Sequence, residues 1–144
     1  MAVGVKICGV SDEAGVSAAV DGGAAMVGFV FFPPSPRSVT VERAAELTKT
    51  VPGGIIRVGL VVDADDEWLG EIAADAGIDL LQLHGGETPE RVREIRERFG
   101  LPVMKVVPVL EAEDVAAADQ FKDAADRLMF DAKPAVGASR PGGN

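Results

Sequence analysis

The sequence predicts an α/β protein built from serial βα units, with about six parallel strands and five helices. Two observations carry this. Short runs rich in Val, Ile and Leu alternate with segments of helical spacing along all 144 residues. The strand-like runs end near Cys8, Phe31, Val62, His84, Val107 and Asp131, so successive ends lie 23, 31, 22, 23 and 24 residues apart. A step of that size holds one strand and one return helix, which makes the strands parallel. No linker, charge block or low-complexity tract interrupts the series, and residues 1–144 read as a single domain.

The strand candidates are "VGVKIC" (3–8), "AMVGFVF" (25–31), "IIRVGLVV" (55–62), "IDLLQL" (78–83), "PVMKVV" (102–107) and "RLMF" (127–130). The first helix candidate, "SDEAGVSAAVDGG", starts at the N-cap candidate Ser11 and stops in glycine. The second begins at Thr40 and places Ala44, Leu47 and Val51 on one face. The third aligns Trp68, Leu69, Ile72 and Ala76 before Gly77. The fourth runs from Thr88, with Pro89 in the first turn and Gly100 past the end, the expected asymmetry of helix termini. "EAEDVAAADQFKDAA" is the fifth.

Serial βα units form either an open doubly wound sheet or a closed (β/α)8 barrel. The loop after the first strand, "CGVSDEAG", does not fit the G-x-G-x-x-G pattern of dinucleotide-binding open sheets. Strands of open sheets are also apolar on both faces, because helices cover each side. Here Lys6 and Cys8 share one face of the first strand, Gln82 and His84 share one face at the fourth, and Lys105 interrupts the fifth. Polar side chains turned inward, Lys105 among them, suit a barrel interior beneath a site at the strand C-terminal ends.

A formal net charge of −9 argues against nucleic acid or an anionic membrane as partner. It leaves room for a small anionic ligand held by a few local cations. One cysteine cannot make an internal disulfide, which suits a reducing, cytoplasmic setting. The N-terminus has no signal-peptide layout, and the longest apolar run, "AAMVGFVFFPP", is far short of a membrane span.

Cys8, Arg37, His84 and Asp131 lie at or just after strand ends, and Lys133 follows. Taken singly, a lone Cys is usually inert packing, His84 or Asp131 can cap a turn, and Arg37 can be a solvated loop charge. Taken together, a thiol, an imidazole, a carboxylate and a guanidinium at equivalent strand ends make a set suited to proton transfer and anion binding.

These residues sit in segments that resemble the signature segments of the phosphoribosylanthranilate isomerase family. They are "VKICGV" (5–10), "GFVFFPPSPRSV" (28–39), "QLHGGE" (82–87) and "FDAKP" (130–134). The resemblance runs in the family's order along the whole chain. It implies a (β/α)8 barrel that converts N-(5-phosphoribosyl)anthranilate to 1-(2-carboxyphenylamino)-1-deoxyribulose 5-phosphate in tryptophan biosynthesis, by an Amadori rearrangement without metal or organic cofactor. Asp131 then matches the general acid and Cys8 the general base. Arg37 fits a contact to the anthranilate carboxylate, and its loop accounts for the long second interval. His84 and Lys105 are substrate-binding candidates, with Lys133 near them, and Lys6 and Lys105 are candidates for the positive charge that favours a thiolate. The partner expected is a small phosphorylated molecule, with a homo-oligomer left open.

Family members continue through two more βα units, whose loops hold most of the substrate phosphate. Gly142 and Gly143, in "PGGN", match the start of the Gly-rich sixth loop. The expectation is therefore an incomplete barrel truncated after strand six, inactive alone. The alternative is a non-catalytic βα fragment that acts only by association with another chain. A metal-dependent sugar-phosphate epimerase on the same barrel would call for a His-rich metal site, which one histidine cannot make.

Overall fold

The structure is a computed structural model that describes residues 2–134. Six strands alternate with five helices: β1 (Lys6–Cys8), α1 (Glu13–Asp21), β2 (Met26–Val30), α2 (Val41–Thr48), β3 (Ile56–Val61), α3 (Asp66–Asp75), β4 (Leu80–Leu83), α4 (Pro89–Phe99), β5 (Val103–Val109), α5 (Ala112–Ala117) and β6 (Arg127–Ala132). A 3₁₀ turn, Ala118–Phe121, extends α5. Gly142 and Gly143, expected to begin the Gly-rich sixth loop, lie outside the described residues.

All strand pairs are parallel and the spatial order is β1-β2-β3-β4-β5-β6, the order of the sequence. A doubly wound sheet reverses direction at a switch point; this sheet never does. Its two faces also differ. One face carries Val27, Phe29, Val61, Leu81, Leu83, Val103 and Val107 into a large core shared with the helices, which contribute Val16, Leu47, Leu69, Ile72, Val92 and Ile95. The other face holds a smaller cluster made of strand residues alone: Val58, Leu80 and Met104, bordered by Met26, Ile56 and Met129. Single-direction winding with helices on one face is the construction of a (β/α) barrel, here as an open six-stranded segment. β1 and β6 are the sheet edges, and outer-face residues Ile7 and Phe130 remain 42% and 52% exposed there.

Local chemistry sets the helix boundaries. The Thr40, Asp65 and Thr88 side chains accept the backbone N–H groups of Arg43, Trp68 and Arg91. Gly100 ends α4 in the left-handed conformation. The N-cap of α1 is Asp12 rather than the expected Ser11, because the Asp12 carboxylate reaches the N–H of Gly15 at 2.7 Å. The fifth helix is shorter than its sequence pattern: its α-helical part ends at Ala117. The 3₁₀ turn then brings Ala118 and Phe121, three residues apart, into the core together.

At the strand N-terminal end, Arg57 and Asp79 tie β3 to β4. Asp79 accepts the backbone N–H and Nε of Arg57 at one oxygen and Nη2, at 2.7 Å, at the other. The guanidinium holds the Asp79 carboxyl below its ordinary value, against the opposing effect of partial burial. Among the described residues, no helix is long and apolar enough to cross a membrane.

Candidate active site

The C-terminal ends of the strands open on one rim, and a cleft of about 370 Å³ lies there. Arg37, His84 and Asp131 line it, with Ser35, Phe32 and Leu60. Three of the expected site residues, delivered from β2, β4 and β6, therefore share one space.

The loop after β2 is tied back onto its own strand. Ser38 forms a parallel bridge with Val30, its hydroxyl accepts the Phe32 N–H, and Val39 N–H donates to the Val30 carbonyl. This closed loop carries Arg37 across to β1, where Nη1 donates to the Cys8 carbonyl at 3.3 Å. Gly9 makes the crossing possible. Its φ is +79°, and a Cβ there would lie 2.5 Å from Arg37 Nη1. Gly9→Ala is expected to displace the guanidinium and strain the turn by about 1–2 kcal/mol. The expected readout is a raised KM with a smaller change in kcat, together with a lower urea midpoint. Unchanged KM would show that Arg37 needs no such seat.

Cys8 is a free, partly buried thiol on the inner face of β1. Gly28 stands beside it on β2, and a Cβ at that position would meet Sγ at 3.0 Å, so the glycine leaves the thiol its room. Cys8 lines a neighbouring hollow with Gly9 and Ser11 rather than the cleft of Arg37 and Asp131. Arg37 is the link between the two.

His84 Nε2 lies 3.3 Å from Asp131 Oδ2, across the rim from β4 to β6. Beneath it, on the same inner face, the amide nitrogen of Gln82 approaches His84 Nδ1 at 3.5 Å.

Lys105 does not line the cleft, and the inward orientation expected for it is corrected. It pairs in register with Leu83 and Leu128, on the helix-facing side of β5. There Nζ sits over the Phe121 ring and bonds Glu87 Oε1 and the Gly85 carbonyl, each at 2.7 Å. The Lys105 and Glu87 side chains are only 4% and 3% exposed. The Glu87 carboxylate also accepts the backbone N–H groups of Gly85 and Asp63, and Asp63 in turn accepts the N–H of Gly86. Lys105 thus fixes the loop that carries His84 instead of meeting a ligand. Alternation along β5 separates its two faces but does not say which is inside. The signal that was available is Glu87 in "HGGE", since a buried lysine needs an acid. Lys133 also faces elsewhere: its Nζ lies 3.9 Å from Asp114. Arg37 is the only Lys or Arg lining the cleft among the described residues.

Known proteins resemble this chain along its whole length. A family model described as N-(5'phosphoribosyl)anthranilate (PRA) isomerase matches residues 5–144. The chain belongs to that family. The N-(5'-phosphoribosyl)anthranilate isomerase of Paramagnetospirillum magneticum is 56% identical over 144 residues, covering 100% of this chain and 67% of the relative. That of Brucella canis is 51% identical, again over the whole chain and 65% of the relative. A solved phosphoribosyl anthranilate isomerase, bound to reduced 1-(o-carboxyphenylamino)-1-deoxyribulose 5-phosphate, superposes with a TM-score of 0.84 at 33% identity. It is matched over 91% of this chain and 66% of its own length. The chain thus spans about two thirds of the length of its PRA isomerase relatives.

Proposed function

We propose that the chain carries the acid, the base and the carboxylate-binding arginine of a PRA isomerase of tryptophan biosynthesis. The observation that carries this reading is the meeting of Arg37, His84 and Asp131 in one cleft at the strand C-terminal ends, with Cys8 joined to them through Arg37.

The chemistry moves protons and electron pairs within the substrate. Asp131 gives its proton to the furanose ring oxygen. The C1′–O bond breaks toward that oxygen, and the anthranilate nitrogen lone pair forms C1′=N. The iminium acidifies C2′–H, and the Cys8 thiolate removes that proton, leaving an enol-amine. Return of the proton from Cys8 to C1′, with loss of the enol proton to the Asp131 carboxylate, gives the 2-ketose and restores both groups. Arg37 is the cation that lines the cleft. Its guanidinium can hold the anthranilate carboxylate bidentately, and it bonds the Cys8 carbonyl at the β1 end. The overall acidity of the chain is compatible with an anionic substrate because this one cation dominates locally.

By the family resemblance, the phosphate is held largely by loops after the seventh and eighth strands. The test is therefore to assay residues 1–144 alone, and then with the last third of the Paramagnetospirillum relative added or fused. Little or no turnover alone, and turnover on completion, are expected. Near-normal turnover by the chain alone would overturn the dependence on those loops, and no turnover in the fusion would overturn the isomerase reading. The second reading, a βα fragment acting only by association, draws on the exposed apolar outer faces of β1 and β6; it expects binding without turnover.

A further inference from the structure

Gln82 is 2% exposed on the inner face of β4, and its polar contacts are confined to its amide nitrogen. That nitrogen faces His84 Nδ1 at 3.5 Å and the Met129 thioether at 3.7 Å. Both are acceptors. The reverse amide orientation would set oxygen against sulfur, so the thioether places the nitrogen on this side. No protein group among the described residues donates to Oε1. From these contacts we infer that Gln82 is a positioning residue that sets the tautomer of His84, with the proton of the neutral ring on Nε2.

The physical chain is short. An amide N–H aimed at Nδ1 favours that nitrogen as a bare acceptor; a second proton there would meet the donor head-on. The ring proton then lies on Nε2, which donates to Asp131 Oδ2. A neutral imidazole supports the carboxylate formed once Asp131 has given its proton away. An imidazolium at the same place would favour the carboxylate beforehand and remove the proton that ring opening needs. Gln82 thus sets which tautomer of the neutral ring faces the acid without touching substrate. Arg37 and Asp131 are the other titratable groups lining the cleft with His84. The consequence for turnover rests on the isomerase reading above; the state of the ring does not.

The chain contains one histidine, so ¹⁵N-histidine labelling reports this imidazole alone. Spectra of the 144-residue chain over pH 5–8 are expected to show bare Nδ1 and protonated Nε2 in the neutral ring. Gln82→Glu, which turns the donor into an acceptor, is expected to hold both ring nitrogens protonated at a pH where the unsubstituted chain is neutral. Gln82→Met should shift the Nδ1 resonance and leave Asp131 in place. In the completed, active protein Gln82→Glu should lower kcat at least tenfold with little change in KM, and Gln82→Met by less. A proton on Nδ1 of the neutral ring, or identical titrations in the unsubstituted chain and both variants, would overturn the assignment. Altered ring states without any turnover in the completed protein would leave the tautomer assignment standing and sink the isomerase reading instead.

Discussion

Asp131→Asn and Cys8→Ala are each expected to slow isomerisation by about 10²–10⁴-fold, the usual weight of a positioned acid or base, with the fold intact. Both side chains are partly exposed at the rim, so neither change leaves a core cavity. The two losses should differ in kind. Asparagine can still accept the His84 Nε2–H, but it has no acidic proton for the ring oxygen, so ring opening becomes limiting. Alanine at position 8 leaves ring opening untouched and removes the acceptor for C2′–H. Substrate deuterated at C2′ separates them: Cys8→Ser should show an enlarged isotope effect and Asp131→Asn a suppressed one. The measurement belongs in the protein completed with the last third of a relative. Retention of more than about a tenth of the turnover in either variant would remove that residue from its role.

The largest effect on stability is expected at Lys105 and Glu87. The pair is nearly fully buried, and its remaining hydrogen-bonding capacity goes to Gly85 and Asp63. Removing one partner leaves the other as an uncompensated buried charge, which costs about 3–5 kcal/mol. Lys105→Met and Glu87→Gln should therefore each lower the urea midpoint strongly. The double variant should recover much of the loss, because no unpaired charge remains. The lone histidine resonance offers an independent check, since the loop held by Glu87 carries His84: it should move in both single variants. Losses under about 1 kcal/mol would mean that water reaches the pair.

The fold was legible because its signal is repetition. The apolar runs at residues 25–31 and 55–62 contain β2 and β3, and α1, α3 and α4 each stop within two residues of Gly22, Gly77 and Gly100. The unreadable parts are those settled by groups distant in sequence. Ser11 and Asp12 are both good capping residues, and only the local geometry selects the one that reaches Gly15. The fifth helical segment tightens because Phe121 must reach the core beside Lys105. At the site, position along the strands placed Cys8, Arg37, His84 and Asp131 on one rim. Lys105 is not legible in this way, because a charged residue among valines looks like a functional exception until its acid is known. Strand alternation marks Gln82 as an inward polar residue, yet its contacts with His84 and Met129 come from three-dimensional register.

The strand order has a consequence for how the chain assembles. The strand pairings join Lys6 to Met26, Met26 to Ile56, Val58 to Leu80, Leu81 to Val103 and Met104 to Arg127. Those partners are 20, 30, 22, 22 and 23 residues apart, so among the described residues no pairing waits for a distant part of the chain. Parallel sheets fold slowly when their contacts are remote; here every closure loop is short. A nascent chain leaving the ribosome can add one strand and its helix to the last, in order, with each new unit landing on a finished neighbour.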